Sequence, residues 1–160
     1  MKPVVAVTLA LLSTLGCAAD GSARLPVTAA CLISDQHRVP VSIELARTAS
    51  ERSKGLMDRT TLAGNAGMLF IYESQQRADH GFWMYRTRIP LDIAYLSEDG
   101  VIGAVQQMAP CLSDRGRDCP SYPAGVPFSL ALEMNQGFFE KHDIDVGDRL
   151  SMDTADCSSS

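Results

Sequence analysis

The chain has 160 residues, 46% hydrophobic and 21% charged, with a formal net charge of −5 and a pI near 5.1. That is one domain's worth of ordinary globular composition, which excludes extended disorder. The acidic balance excludes the basic footprint of a nucleic-acid binder, and no apolar run reaches the roughly 18 residues of a helical membrane span.

Residues 1–17 read as an export signal with a lipobox-like end. Lys2 supplies the positive n-region, Val4 to Leu12 the apolar h-region, and Gly16-Cys17-Ala18-Ala19 the small residues of a processing site. Two routes fit. Thr14-Leu15-Gly16-Cys17 resembles a bacterial lipobox, in which Cys17 is acylated and anchors the protein as a periplasmic or membrane-attached lipoprotein. Ordinary cleavage after Ala19 or Ala23 is the other. Membrane contact is expected only through that lipid.

Cys17 is one of five cysteines, and an odd thiol is awkward in an oxidising compartment. Losing Cys17 to lipid or to cleavage leaves four, enough for two bridges. Cys111 and Cys119 flank a short polar loop and are expected to pair, which leaves Cys31 with Cys157 to pin the two ends of the domain. Zinc is not expected, because the C-x7-C spacing is wrong and His37, His80 and His142 stand apart.

Residues 18–38 read as a linker, 39–152 as a β-rich domain and 153–160 as a tail. Val41, Ile43 and Leu45 alternate with Ser42, Glu44 and Ala46, predicting a half-buried strand over 39–46. Thr48-x-x-Glu51 is a capping box that opens a short helix running to Lys54 and stopping at Gly55. Gly67 to Tyr72 and Phe82 to Tyr85 are continuous apolar runs of strand length. Alternation resumes over 91–96, Asp99-Gly100 marks a hairpin turn, and Val101 to Met108 returns beside it. A loop with three prolines spans 109–125. Then come a strand over 128–134, a short helical turn over 137–142 and a last strand ending at Met152. Six or seven strands with two short helices predict a small antiparallel β-sandwich or barrel, jelly-roll-like, with helices capping an open end.

Five ordered segments resemble the uncharacterised protein family 0127, also called domain of unknown function 192. They are Gly55-Leu56-Met57-Asp58-Arg59, Gly67-Met68-Leu69-Phe70, Phe82 to Asp92, Cys119 to Pro123 and Leu132 to Phe139. The resemblance covers roughly residues 39–152 and implies a small β-rich domain, often exported, with no established activity. Many members look like F-W-M-K-N-T where this chain has Phe82-Trp83-Met84-Tyr85-Arg86-Thr87, so no role of that lysine carries over.

The same phrase holds the sole Trp beside Met, Tyr and Arg. On a strand, Phe82 and Met84 share one face, and Trp83 and Tyr85 the other. One face must be core, and the second is a candidate pocket wall, with Trp83 stacking and Arg86 or Arg88 meeting an anion. Asp92 at a strand start is a candidate carboxylate; equally, it can accept backbone amides or pair with Arg59, leaving Arg86 unpaired for a ligand. Glu44 and Glu133 sit on the polar sides of alternating strands. They are expected to be exposed, unless their strands are neighbours and the carboxylates approach as an acid–base pair.

No nucleophile elbow, zinc-protease helix, phosphate loop or dinucleotide glycine pattern occurs, and no cofactor is expected. Glu51-Arg52-Ser53-Lys54 reads as mixed-charge surface. The expected function is an exported cell-envelope binding or accessory module for a small polar or anionic ligand or an envelope protein. Its candidate binding residues are Arg59, Trp83, Arg86, Asp92 and Glu133. The alternative is a carboxylate-dependent envelope hydrolase.

Overall fold

The computed structural model describes residues 25–158. The signal sequence, Cys17 and the two candidate cleavage points lie outside them. Among the described residues nine strands form in chain order: β1 (Val27–Ile33), β2 (Arg38–Ala46), β3 (Ala66–Gln76), β4 (Gly81–Trp83), β5 (Leu91–Leu96), β6 (Ile102–Met108), β7 (Ser121–Pro123), β8 (Phe128–Asn135) and β9 (Arg149–Ser151). Helix α1 spans Ala49–Lys54 and α2 spans Phe138–Lys141.

Seven strands make one curled, half-barrel sheet in the order β6-β5-β8-β3-β2-β1-β9, and β4 and β7 pair as a separate ribbon. The β2–β3 pair is parallel, so the sheet is mixed and the purely antiparallel expectation does not hold. Helix α1 makes that parallel connection possible, carrying the chain from the end of β2 back to the start of β3. The two outer strands approach each other. Val101 bridges Arg149, Ile102 N–H donates to the Asp148 carbonyl, and Leu150 N–H donates to the Gly100 carbonyl.

Two cores result. The concave face gathers Leu32, Ile43, Leu69, Leu96, Leu132 and Leu150, and α2 plugs it with Phe138 and Phe139. The outer face of β2, β3, β8 and β5 carries a second core, with Met68, Phe70, Ile93 and Tyr95 covered by Leu56, Phe82, Met84 and Phe128. All six residues of β5 are therefore buried, although they alternate in polarity at only one position.

Helix α1 begins and ends where the capping box and Gly55 predict. The Thr48 hydroxyl accepts the Glu51 amide at 3.2 Å, and the Glu51 carboxylate accepts the Thr48 amide at 2.8 Å. Two expectations need correction. The stretch read as linker contains β1, which pairs with β2 along its whole length and with β9 on its other edge. The stretch read as tail contains a 3-10 turn over Thr154–Cys157, held down by a bridge from Cys157 to Cys31. That bridge and Cys111–Cys119 are the two expected pairs.

Candidate functional site

The site is built on the outer core. In β3, Met68 lies beside Glu44 of β2 and beside Glu133 of β8, so these three side chains form one row across the outer face. Both glutamates are buried, contrary to the exposed position that simple alternation predicts. Their fates differ. Glu44 is held by a fork from Arg59, with guanidinium-to-carboxylate distances of 2.7 and 2.8 Å, and also accepts the Leu25 amide. Glu133 is 4% exposed, and among the described residues no group donates a hydrogen bond to its carboxyl. Burial alone drives its pKa up to about 8, with no cation close enough to oppose it.

Glu133 faces a pit of about 30 Å³, room for about one or two water-sized groups. Thr87, Leu56, Phe82 and the backbone turn after α1 wall it. The pit adjoins a cleft of about 910 Å³ between α1, the far end of β3 and β4. Arg52, Ser53, Phe82 and Trp83 belong to both. Arg47, Thr48, Ser74 and His80 add cationic and hydrogen-bonding groups to the cleft alone, and Glu73 adds one acid.

Each wall is fixed by its local chemistry. Arg52 donates to the Arg47 and Ile71 carbonyls and lies 4.7 Å above the Tyr72 ring, so its position over the cleft is set by three neighbours. Phe82 anchors β4 into the outer core, meeting Phe70 edge-on at 4.9 Å and Tyr95 at 5.8 Å. Trp83 takes the other face, 48% exposed, with Tyr85 tilted against it at 5.4 Å. Behind Trp83 stands the loop closed by Cys111–Cys119. A methyl group placed on Gly116 of that loop would come within 2.6 Å of the indole. The bridge therefore fixes the back of the site.

Of the five sequence-derived candidates, only Trp83 and Glu133 come together. Arg59 does not meet Asp92; it satisfies Glu44 instead. Nor is Arg86 unpaired. It meets the Asp58 carboxylate at 2.9 Å, and Asp58 N–H donates back to the Arg86 carbonyl at 2.8 Å, both residues having positive φ. Arg88 shares the same carboxylate at 3.4 Å.

Asp92 points to the opposite side of the sheet, where one oxygen accepts the Gly137 amide at 2.9 Å at the start of α2 and the other is buried without a well-aligned donor. Its pKa is raised by burial, against the Gly137, Phe139 and Phe138 amides that favour the charged form. That is the backbone-acceptor role, and it lies beside a separate concavity of about 440 Å³. The cleft residues Arg47, Arg52, Ser53 and His80 carry no site signal of their own in the sequence. The nearest one is the capping box, which fixes the face of α1 on which Arg52 stands.

A family model for DUF192, described as an uncharacterised ACR, matches residues 31–152. Two solved structures are similar. One is a protein from Sinorhizobium meliloti 1021 with the provisional name of transcription regulator; it is 28% identical, covers 82% of this chain and 97% of its own, and has a TM-score of 0.71. The other, from Novosphingobium aromaticivorans DSM 12444, is of unknown function; it is 31% identical, covers 79% of this chain and 86% of its own, and has a TM-score of 0.69. No curated protein matches the sequence. The chain belongs to the DUF192 family.

Proposed function

We propose that this DUF192 protein is an exported cell-envelope binding module that takes a small polar ligand in the cleft between α1 and β4. The observation that carries this reading is the pairing of an open polar cleft with an adjoining pit that ends at Glu133, a carboxyl 4% exposed and without a protein donor among the described residues. A buried polar group without a partner costs stability, so its retention calls for a ligand or solvent group to complete it. Trp83 supplies a stacking wall, and Arg47 and Arg52, against the single acid Glu73, give the outer cleft a net positive character.

The hydrolase alternative is supported less well. Acid–base cleavage wants a second working carboxylate near the first, yet Glu44 is committed to Arg59 with Met68 between it and Glu133. The regulator name of the Sinorhizobium relative finds no support in the charge of this chain, which is −5. Export is supported by the n-region, h-region and Cys17 motif, and two disulfides are compatible with it. Among the described residues no helix is long and apolar enough to cross a membrane.

Trp83 is the sole tryptophan and lines the cleft, so its fluorescence reads occupancy directly. The mature protein titrated with the low-mass fraction of bacterial envelope extract is expected to show a saturable change that Arg52→Ala weakens at least severalfold. Fluorescence that stays constant across all fractions would sink the binding reading. Mass spectrometry of the native protein tests export separately, by a mature N-terminus between Cys17 and Arg24.

A further inference from the structure

We infer that the Glu133 pit receives the primary ammonium group of a small aminocarboxylate whose acidic end lies in the adjoining cationic cleft. This rests on the reading of the cleft as a ligand site and names the chemistry of what enters it.

Size comes first. The pit of about 30 Å³ admits a group the size of water or of a primary ammonium, and a trimethylammonium head is several times too large for it. Chemistry comes next. The carboxyl that ends the pit has no donor of its own among the described residues, and an ammonium group brings three donors and a compensating charge. The Thr87 hydroxyl on the pit wall is a further acceptor; its own hydrogen bond, to the Tyr85 carbonyl, is long at 3.5 Å.

Charge then selects the rest of the ligand. Arg52 and Lys54 from α1 line the pit without lowering the Glu133 pKa, Tyr72 from β3 and Tyr95 from β5 feel its charge, and His80 lies beyond Phe82. In the cleft beyond the pit, Arg47 and Arg52 outnumber the one acid, Glu73, and draw the anionic end of a ligand. An anionic tail a few bonds from the ammonium places its charge beside those two arginines. The polar walls around Ser53, Thr48 and Ser74 leave room for such a tail in the larger cavity.

Binding is coupled to a proton. With a pKa near 8, Glu133 is mostly protonated at pH 6–7. Seating an ammonium group favours the carboxylate. The neutral Glu133 acid and the ligand ammonium therefore become a carboxylate–ammonium ion pair, and one proton leaves the Glu133 carboxyl for solvent. Affinity is then expected to rise about tenfold per pH unit below that pKa.

Isothermal titration of the mature protein with 4-aminobutyrate, its N-trimethyl analogue and butyrate tests this, run at pH 6.0 and 7.5 in two buffers of different ionisation enthalpy. The expected result is that 4-aminobutyrate binds at least tenfold tighter than either control and releases close to one proton at pH 6.0 and about three-quarters of one at pH 7.5. Glu133→Gln should abolish the release while the melting transition stays cooperative. The proton count on the unmodified protein decides the matter even if that variant misfolds. Butyrate binding as well as 4-aminobutyrate, or binding without proton release, overturns the ammonium assignment and leaves the cleft standing as a ligand site. No binding by any of the three, with extract fractions still changing Trp83 fluorescence, means that the pit holds only water and also overturns it. Silence in both assays overturns the inference and the binding reading together.

Discussion

Glu133 and Glu44 occupy equivalent places in one row of the same sheet face, and their environments separate them. A neutral acid is the favoured form of Glu133 at neutral pH because burial acts on it without any opposing cation. Its folded pKa lies above the unfolded value of 4.5, so the folded state holds a proton that the unfolded chain gives up. The stability this confers is complete below about pH 4.5 and is lost as pH rises towards 8, at up to about 1.4 kcal/mol per pH unit. Asp92, also raised, adds a slope of the same sign. Thermal melts from pH 5 to 8.5 should therefore fall in wild type and be distinctly flatter in Glu133→Gln. Equal slopes in the two proteins would refute the assignment. Arg59 makes the opposite case, since its removal strands Glu44 as a buried charge without its fork. Arg59→Ala should cost roughly 3–5 kcal/mol, measured by urea unfolding, and Arg59→Lys should restore only part of it. The sequence names Arg59, Asp92 and Arg86 as site residues but mispairs them. Which carboxylate an arginine reaches depends on strand adjacency, and neither Glu44 beside β3 nor Asp58 beside Arg86 can be read from spacing along the chain.

Glycines set how closely the elements that carry the site can approach. Gly67 lies in β3 beside Met134 and Glu133 of β8, and a methyl group there would sit 2.5 Å from the Glu133 carbonyl and 2.3 Å from the Met134 sulfur. Backbone cannot yield as a flexible side chain can. Gly67→Ala is expected to destabilise by about 1–3 kcal/mol and to displace β8 with its carboxyl, so ligand response should weaken beyond what the lost stability explains. Gly116→Ala tests the wall behind Trp83. It should shift Trp83 emission while leaving the melting temperature nearly unchanged, because the indole is half exposed and can turn away. An unchanged spectrum would mean that the disulfide loop does not hold the indole. Elements carrying their own local signals are legible in the sequence: the capping box of α1, the alternation of β2, and the turn at Gly100. Strand β1 is not. Its burial follows from pairing with β2 and β9, the latter more than a hundred residues away, and its Ala30-Cys31-Leu32-Ile33 run is apolar without alternation because all four residues are buried. The ribbon strand β7 hides similarly inside a proline-rich loop, as it exists only by pairing with β4.

Across the whole molecule, the second core explains both why alternation misplaces the glutamates and where the site had to form. A single-layer reading assigns every polar position of β2 and β8 to water. Here the β4–β7 ribbon and the turn between α1 and β3 cover that face, and the cleft lies between them and α1. The sheet itself is held in its curl by contacts between residues far apart in the chain. β9 lies on the edge of β1 while Val101 and Gly100 touch Arg149 and Leu150, so the last strand links both ends of the strand order. Gly100 is required at that junction, since a methyl group would fall 2.3 Å from the Leu150 carbonyl oxygen. A three-residue strand is a weak clasp by itself, and the Cys31–Cys157 bridge reinforces it by tying the segment just beyond β9 to the middle of β1 across a separation of 126 residues. In the chain-entropy model a loop of that length contributes about 4–5 kcal/mol, an upper bound because the reduced unfolded chain keeps some structure. The Cys111–Cys119 loop, with a separation of 8, contributes less, roughly 2–3 kcal/mol. The two bridges should therefore fail differently. Replacing Cys31 and Cys157 by Ala should lower the melting temperature substantially and release the C-terminal segment to limited proteolysis, with little change in Trp83 emission. Replacing Cys111 and Cys119 should lower the melting temperature less and change Trp83 emission and ligand response more. The reverse ranking would mean that β9 is secured by its hydrogen bonds alone and that the loop behind the indole carries the greater share of stability.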